Sequence, residues 1–156
     1  MPLLIATRNP AKLERYRRAL DRFSDLPVLT PQEVNLDLAV EEDGATAAEN
    51  ASLKARAYAE AALLPALGID EALFIPALPP SQQPGVLVRR NGGRSLTDEE
   101  LLDTYLERAR SLAPEQRAVQ WIFALCLALP DGRSFSDQAG WNGWLSDRAY
   151  LPYQPG

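Results

Sequence analysis

Two groups of residues in this sequence have the types and spacing for phosphate and metal chemistry. The first is Ala6-Thr7-Arg8-Asn9-Pro10-Ala11-Lys12. It sets a hydroxyl, a carboxamide and an ammonium at a strand-to-helix turn. There the free N–H groups and positive potential of a helix N-terminus suit phosphate oxygens. The glycines of a Walker A loop are missing, and a capped helix start with a solvated lysine accounts for the same residues. The second group is acidic: Glu41, Glu42, Glu49, Asp70 and Glu71. Hard cations need carboxylate oxygens gathered from separate segments, and a carboxylate beside bound Mg²⁺ can deprotonate a water. Glu49 also completes a helix cap, and Glu41 and Glu42 also read as a solvated loop. A third group, Trp121, Trp141, Trp144, Tyr150 and Tyr153, has aromatic faces that stack on a nucleobase. The plainer account makes Trp121 core and lays Trp141 and Trp144 over a hairpin.

The elements that must position these groups follow from periodicity and punctuation. Pro2 to Ala6 is a short apolar run, read as a buried strand. Asn9-Pro10 breaks it, and Leu13, Tyr16 and Leu20 share one face of a helix expected from Ala11 to about Phe23. Pro27-Val28-Leu29 reads as a second strand. Thr46 and Glu49 form a capping box that opens an alanine-rich helix through about Leu63, with Leu53, Ala57 and Ala61 expected as its packing face. Leu67 to Leu73 reads as a strand or strand end, and Asp70 is expected at a strand end, where site residues of open α/β sheets gather. A proline-rich loop covers 76–84. Thr97 and Glu100 cap another helix to about Leu112. Ala118 to Leu129 is apolar on both faces and is expected to be a central strand covered on both sides. Pro130-Asp131-Gly132-Arg133 is a hairpin turn, with returning strands at 134–138 and 142–145. This order predicts an α/β protein with a mixed sheet and flanking helices, in a single domain over 1–156.

Composition narrows the chemistry further. The chain has no histidine, which removes histidine bases, histidine triads and histidine metal ligands. With a single cysteine, Cys126, a zinc site is nearly excluded and no internal disulfide can form. Any metal is therefore expected on carboxylates, as Mg²⁺ or Mn²⁺. Cys126 alternates within an apolar strand and reads as a packing residue. A reducing cytoplasm is the default location. The formal net charge of −5 argues against a nucleic-acid-coating surface. Apolar runs are interrupted well before the length needed to span a membrane, and the N-terminus lacks the pattern of a signal peptide.

In order along the chain, the motifs resemble the inosine triphosphate pyrophosphatase family. The matching stretches are Leu3-Leu-Ile-Ala-Thr-Arg-Asn-Pro-Ala-Lys12-Leu and Val40-Glu-Glu-Asp-Gly-Ala-Thr-Ala-Ala-Glu-Asn50-Ala-Ser-Leu-Lys-Ala55. Leu64-Pro-Ala-Leu, Pro84-Gly-Val, Arg90, Arg117-Ala118 and Pro130-Asp-Gly132 follow. The resemblance implies a mixed α/β fold with an elongated central sheet, and usually a homodimer. It implies hydrolysis of nucleoside triphosphates such as ITP, dITP and XTP to monophosphate and pyrophosphate with Mg²⁺. By motif position, Thr7, Asn9 and Lys12 would hold the triphosphate, Glu42 would be a metal ligand, and Asp70 would be both metal ligand and general base. Glu71 and Tyr153 fall on substrate-contacting positions.

The chain departs from the family pattern in places. The family's Ala-Asp-Asp-Ser-Gly-Leu is Gly68-Ile69-Asp70-Glu71-Ala72-Leu73, so Ile69 stands where the family has an acid. Restoring that acid is expected to strengthen the metal site. The base-recognising Gly-Phe-Gly-Tyr-Asp-Pro survives as Tyr150-Leu-Pro-Tyr153-Gln154-Pro155, and the later Ser-His-Arg motif has no counterpart. The family's C-terminal part is thus expected to be missing and any activity to be weakly base-selective. Three functions stay open: a pyrophosphatase, a non-catalytic relative that binds a phosphorylated ligand, and a dimerisation partner.

Overall fold

A computed structural model describes residues 1–22, 25–91 and 94–150 of the chain. Its sheet grows from β1 (Leu3–Ile5), which is buried along its whole length. Strand β1 pairs in parallel with β2 (Val28–Leu29) on one side and with β3 (Ala66–Phe74) on the other. Parallel neighbours need a crossover. The crossovers are α1 (Pro10–Asp21), between β1 and β2, and α2 (Ala47–Ala62), between β2 and β3. A short hairpin of β4 (Arg90–Asn91) and β5 (Arg94–Ser95), then α3 (Asp98–Ser111), precede β6 (Ala118–Ala128) and β7 (Ser134–Trp144). The five-stranded sheet has the order β2-β1-β3-β6-β7. Strands β6 and β7 are joined by a tight turn in which Gly132 takes a φ of +90° and the Leu129 N–H donates to the Arg133 carbonyl at 2.8 Å. This is the expected mixed α/β fold. Among the described residues, no helix is long and apolar enough to cross a membrane.

Local signals set the helix ends. The Asn9 side chain accepts from the Lys12 N–H at 3.3 Å and its carbonyl from the Leu13 N–H at 2.9 Å, with Pro10 at the first helical position of α1. The expected end of α1 at Phe23 falls outside the described residues. Both capping boxes form as the sequence implies, Thr46 with Glu49 and Thr97 with Glu100. Helix α2 stops at Leu63, whose backbone is left-handed, two residues before Pro65.

The chain divides into two compact units, Met1–Asp70 with Phe123–Ala139, and Glu71–Ile122 with residues 140–150. In the first, Ile5, Tyr16 and Ile69 form a buried cluster packed by Leu13, Leu20, Val28, Leu67, Phe123 and Leu125. The Tyr16 and Phe123 rings meet edge to face, 6.0 Å between centroids. In the second, the Gln83 carboxamide closes the proline-rich loop: it accepts from the Ile75 N–H at 2.9 Å and donates to the Ile75 and Leu78 carbonyls at 2.9 and 2.7 Å.

The structure corrects three sequence expectations. The packing face of α2 is not Leu53, Ala57 and Ala61: Leu53 and Ala61 are exposed, and the buried stripe is Asn50, Ala51, Lys54, Ala55, Tyr58 and Ala59. Steric fit decides this, because β3 presents Gly68 to α2. A Cβ on Gly68 would lie 2.0 Å from the Ala51 carbonyl oxygen and 2.7 Å from the Ala55 nitrogen, so the strand rests directly on helix backbone. Strand β6 is interior in the sheet, yet only its small residues Ala124, Cys126 and Ala128 are fully buried, and Trp121 is half-buried. The returning segments are one continuous strand, β7, which lies at the sheet edge and leaves Trp141 and Trp144 more than half exposed.

Gly68→Ala is expected to cost about 1–3 kcal/mol or more, the range for overpacking a core, read as a lowered urea midpoint. A second expectation concerns acid. The half-buried Glu100 carboxylate accepts from Arg94 at 2.6 and 2.9 Å and from the Thr97 N–H at 2.8 Å. These bonds, the Arg94 side chain foremost, lower its pKa from 4.5 to about 2. A carboxyl with a lowered folded pKa stabilises the fold above its unfolded pKa and loses that contribution as pH falls through the folded value. Glu100→Gln keeps the cap acceptor and removes the charge. It is expected to flatten the loss of stability between about pH 4.5 and about pH 2, as followed by urea titrations across that range.

Candidate functional site

The buried stripe of α2 holds the acidic loop that precedes it, turn by turn. Residues 50, 54 and 58 lie at successive i, i+4 positions and so stand above one another on one helix face. The Tyr58 hydroxyl donates to the Leu38 carbonyl at 3.0 Å. The Lys54 ammonium donates to Glu42 Oε2 at 3.2 Å. Asn50 Oδ1 accepts from the Gly44 N–H at 2.9 Å, and Glu49 accepts from the Ala45 and Thr46 N–H groups at 2.7 and 3.1 Å. The loop therefore runs back along α2 from Leu38 to Thr46. Gly44 is required by closeness: a Cβ there would stand 2.6 Å from Asn50 Oδ1. Burial raises the pKa of the Tyr58 phenol, and the charges of Asp37 and Glu42 add to that while Arg8 opposes it.

The same stripe meets Asp70. Lys54 donates to Asp70 Oδ1 at 2.8 Å, and the Asn50 carboxamide nitrogen donates to Asp70 Oδ2 at 3.3 Å. Asp70 and Lys54 are 7% and 8% exposed, so this is a buried ion pair with both carboxylate oxygens engaged. Glu42, less deeply buried, shares the ammonium. Among the described residues no buried side-chain polar atom lacks a partner. Asp70 lies inside β3 rather than at its end. It nevertheless projects beyond β1, because β1 stops at Ile5, which pairs with Leu67.

The Thr7–Lys12 turn leaves the sheet at that same end. The Ala6 N–H donates to the Leu67 carbonyl at 2.9 Å. Thr7 Oγ1 accepts from the Asn9 N–H at 3.3 Å and Asn9 Oδ1 from the Lys12 N–H at 3.3 Å. The structure thus brings Thr7, Asn9, Lys12, Glu42 and Asp70 to one end of the parallel strands, where ligands of α/β sheets bind.

Other candidates stand apart from this cluster. Glu49 is a helix cap and Glu41 is exposed. Glu71 follows Asp70 on an extended strand and projects from the opposite face. Ile69, also opposite Asp70, is buried against Ile5 and Tyr16. An acid at 69 would enter that apolar cluster instead of joining Glu42. Tyr153 lies outside the described residues.

A profile of the Ham1 family matches residues 3–151. The chain belongs to the Ham1 family. It is 40% identical over 134 residues to a dITP/XTP pyrophosphatase of Thermus thermophilus, covering 86% of this chain and 62% of that relative. It is 33% identical over 147 residues to a dITP/XTP pyrophosphatase of Corynebacterium efficiens, covering 93% of this chain and 70% of the relative. Among solved structures, a HAM1 protein from Coxiella burnetii superposes with a TM-score of 0.81 at 26% identity, over 100% of this chain and 78% of that one. A nucleoside-triphosphatase / dITP/XTP pyrophosphatase from Mycobacterium abscessus gives 0.75 at 28% identity, over 99% and 80%. This Ham1 chain thus spans about three-fifths of the length of the Thermus relative.

Two residues of the Ham1 chain carried no assigned role on sequence grounds, Asn50 and Lys54. Their signal was present: polar side chains four apart in an alanine-rich helix, in register with Tyr58. As a metal site the arrangement is sparse. Among the described residues no three acidic, cysteine or histidine side chains converge. Mg²⁺, however, is commonly held through one or two carboxylates together with substrate phosphates, and Glu42 with Asp70 fits that use.

Ile69→Asp is expected to destabilise this chain by about 3 kcal/mol or more, the scale of an uncompensated buried charge. A urea midpoint at or above that of the wild type would contradict the placement of Ile69.

Proposed function

We propose that this chain acts as a Mg²⁺-dependent nucleoside triphosphate pyrophosphatase on non-canonical purine nucleotides, releasing monophosphate and pyrophosphate, as a homodimer. The observation that carries the reading is the convergence of Glu42, Asn50 and Lys54 with Asp70 beyond the carboxyl end of β1, next to the Thr7–Lys12 turn. The names of the Thermus and Corynebacterium relatives support the substrate class.

In this reading Thr7, Asn9 and Lys12 hold phosphate oxygens at the N-terminus of α1, and the helix potential favours their negative charge. Glu42 and Asp70 would hold Mg²⁺, which supplies charge neutralisation on the phosphates and a more acidic water. Asp70 accepts the proton of the water that attacks phosphorus as the α–β anhydride bond breaks and pyrophosphate leaves. Both Asp70 oxygens accept hydrogen bonds, from Lys54 and Asn50, so one must be released first. Asn50, anchored by the Gly44 N–H, keeps the carboxylate oriented meanwhile. A chain that binds a phosphorylated ligand without hydrolysing it would keep the same turn and lose only the proton-accepting role.

A nucleotide panel with Mg²⁺, reading pyrophosphate against phosphate, tests the proposal. Pyrophosphate release from dITP, ITP or XTP is expected, with a loss of about a hundredfold or more in Asp70→Asn, within the usual range for a general base. Lys12→Ala is expected to weaken nucleotide binding by about 1.5–3 kcal/mol, the range for a charge-assisted bond. Binding without pyrophosphate release from any nucleotide would leave the non-catalytic reading standing.

A further inference from the structure

Lysine is rare in this chain. Of its sixteen basic residues only Lys12, in the turn that opens α1, and Lys54 are lysines. Lys54 is buried and bonds Asp70 at 2.8 Å and Glu42 at 3.2 Å. Its single positive charge stands between the two carboxylates that a divalent cation would need. We infer that Lys54 is a built-in counter-cation: it keeps divalent cations off the Glu42–Asp70 pair in the nucleotide-free protein and yields the pair only when a polyphosphate arrives to accept its ammonium. This rests on the pyrophosphatase reading, and adds an order of binding to it.

The argument is electrostatic. A lone divalent cation entering the pair must either displace the ammonium from both of its carboxylates in a buried position or sit beside it. The first leaves a buried charge without a partner. The second places like charges together. A triphosphate removes both penalties, because its oxygens replace the carboxylates as acceptors. A lysine suits such an exchange: its compact ammonium on a flexible stem can change acceptors without the fixed planar fork of arginine. The move also frees Asp70 Oδ1 while Asn50 still holds Oδ2. The cluster would therefore become competent for proton transfer only when substrate is present.

Having two lysines makes this directly readable. With ¹⁵N at lysine Nζ, the wild-type protein should give two side-chain ammonium signals. The Lys54 signal should stay in place with excess Mg²⁺ alone and move with Mg²⁺ plus a non-hydrolysable α,β-methylene triphosphate. Lys12 serves as the internal report of binding. In parallel, Lys54→Met should bind Mn²⁺ without nucleotide at least about tenfold more tightly than wild type, a difference of about 1.4 kcal/mol, by the paramagnetic resonance of free Mn²⁺. A Lys54 signal that moves with Mg²⁺ alone overturns the inference. So does one that stays put while Lys12 reports the analogue bound, and so does a folded Lys54→Met with no gain in Mn²⁺ affinity. If Lys54→Met does not fold, the wild-type signals decide. None of these readouts uses turnover. Absence of pyrophosphate release would therefore count against the enzyme reading alone.

Discussion

The contact on which the rest of the site depends is the one between Gly68 and the backbone of α2. With no side chain at 68, β3 lies against the Ala51 carbonyl and the Ala55 nitrogen, nearer than any Cβ would allow. That closeness fixes the rotation of α2 about its axis. Residues 50, 54 and 58 then face the strand and loop, while Leu53, a larger apolar residue, is left partly in solvent. The helix accepts this because Ala51, Ala55 and Ala59 are small enough to line the contact. Burial of the long polar side chains follows from backbone proximity and opposes the preference of their polar groups for water.

Burying Lys54 and Asp70 would be unfavourable for either alone, and it is tolerated because each satisfies the other. Asn50 and Glu42 take up the remaining bonding capacity. The acidic loop is tied into this network through Tyr58, Lys54 and Asn50, so the position of Glu42 is set by the same helix face that holds Asp70. The Thr7–Lys12 turn is built differently. Its geometry comes from the end of β1 and from capping bonds within Thr7–Lys12. Two separately built halves meet because β1 and β3 pair in parallel and leave the sheet in the same direction.

The opposite face of β3 has a different role. Leu67 and Ile69 pack on Ile5 and Tyr16, and that apolar cluster anchors the strand whose other face carries Gly68 and Asp70. Strand alternation therefore separates chemistry from packing residue by residue. The substitution of an acid by Ile69 reads as a loss from the site when the motif is taken as a string, and as part of the core once the direction of the side chain is known.

What the sequence determined by itself was local or motif-borne. Both capping boxes, the Asn9-Pro10 helix start, the Pro130–Arg133 turn and the existence of a strand within 118–129 depend on residues within a few positions of one another, and these local features formed. Thr7, Asn9, Lys12, Glu42 and Asp70 were legible as candidates because their residue types and motif spacing point to phosphate and metal chemistry. The tertiary structure alone decided which face of α2 is buried, since an alanine-rich helix offers little hydrophobic contrast to choose by. It also decided that Lys54 and Asn50 are the partners of Asp70, that Ile69 points into the core, and that β7 is one unbroken strand. The first two of these depend on how β3 seats against a helix some fifteen residues earlier in the chain, a contact made by a glycine, the residue with no side chain to announce it.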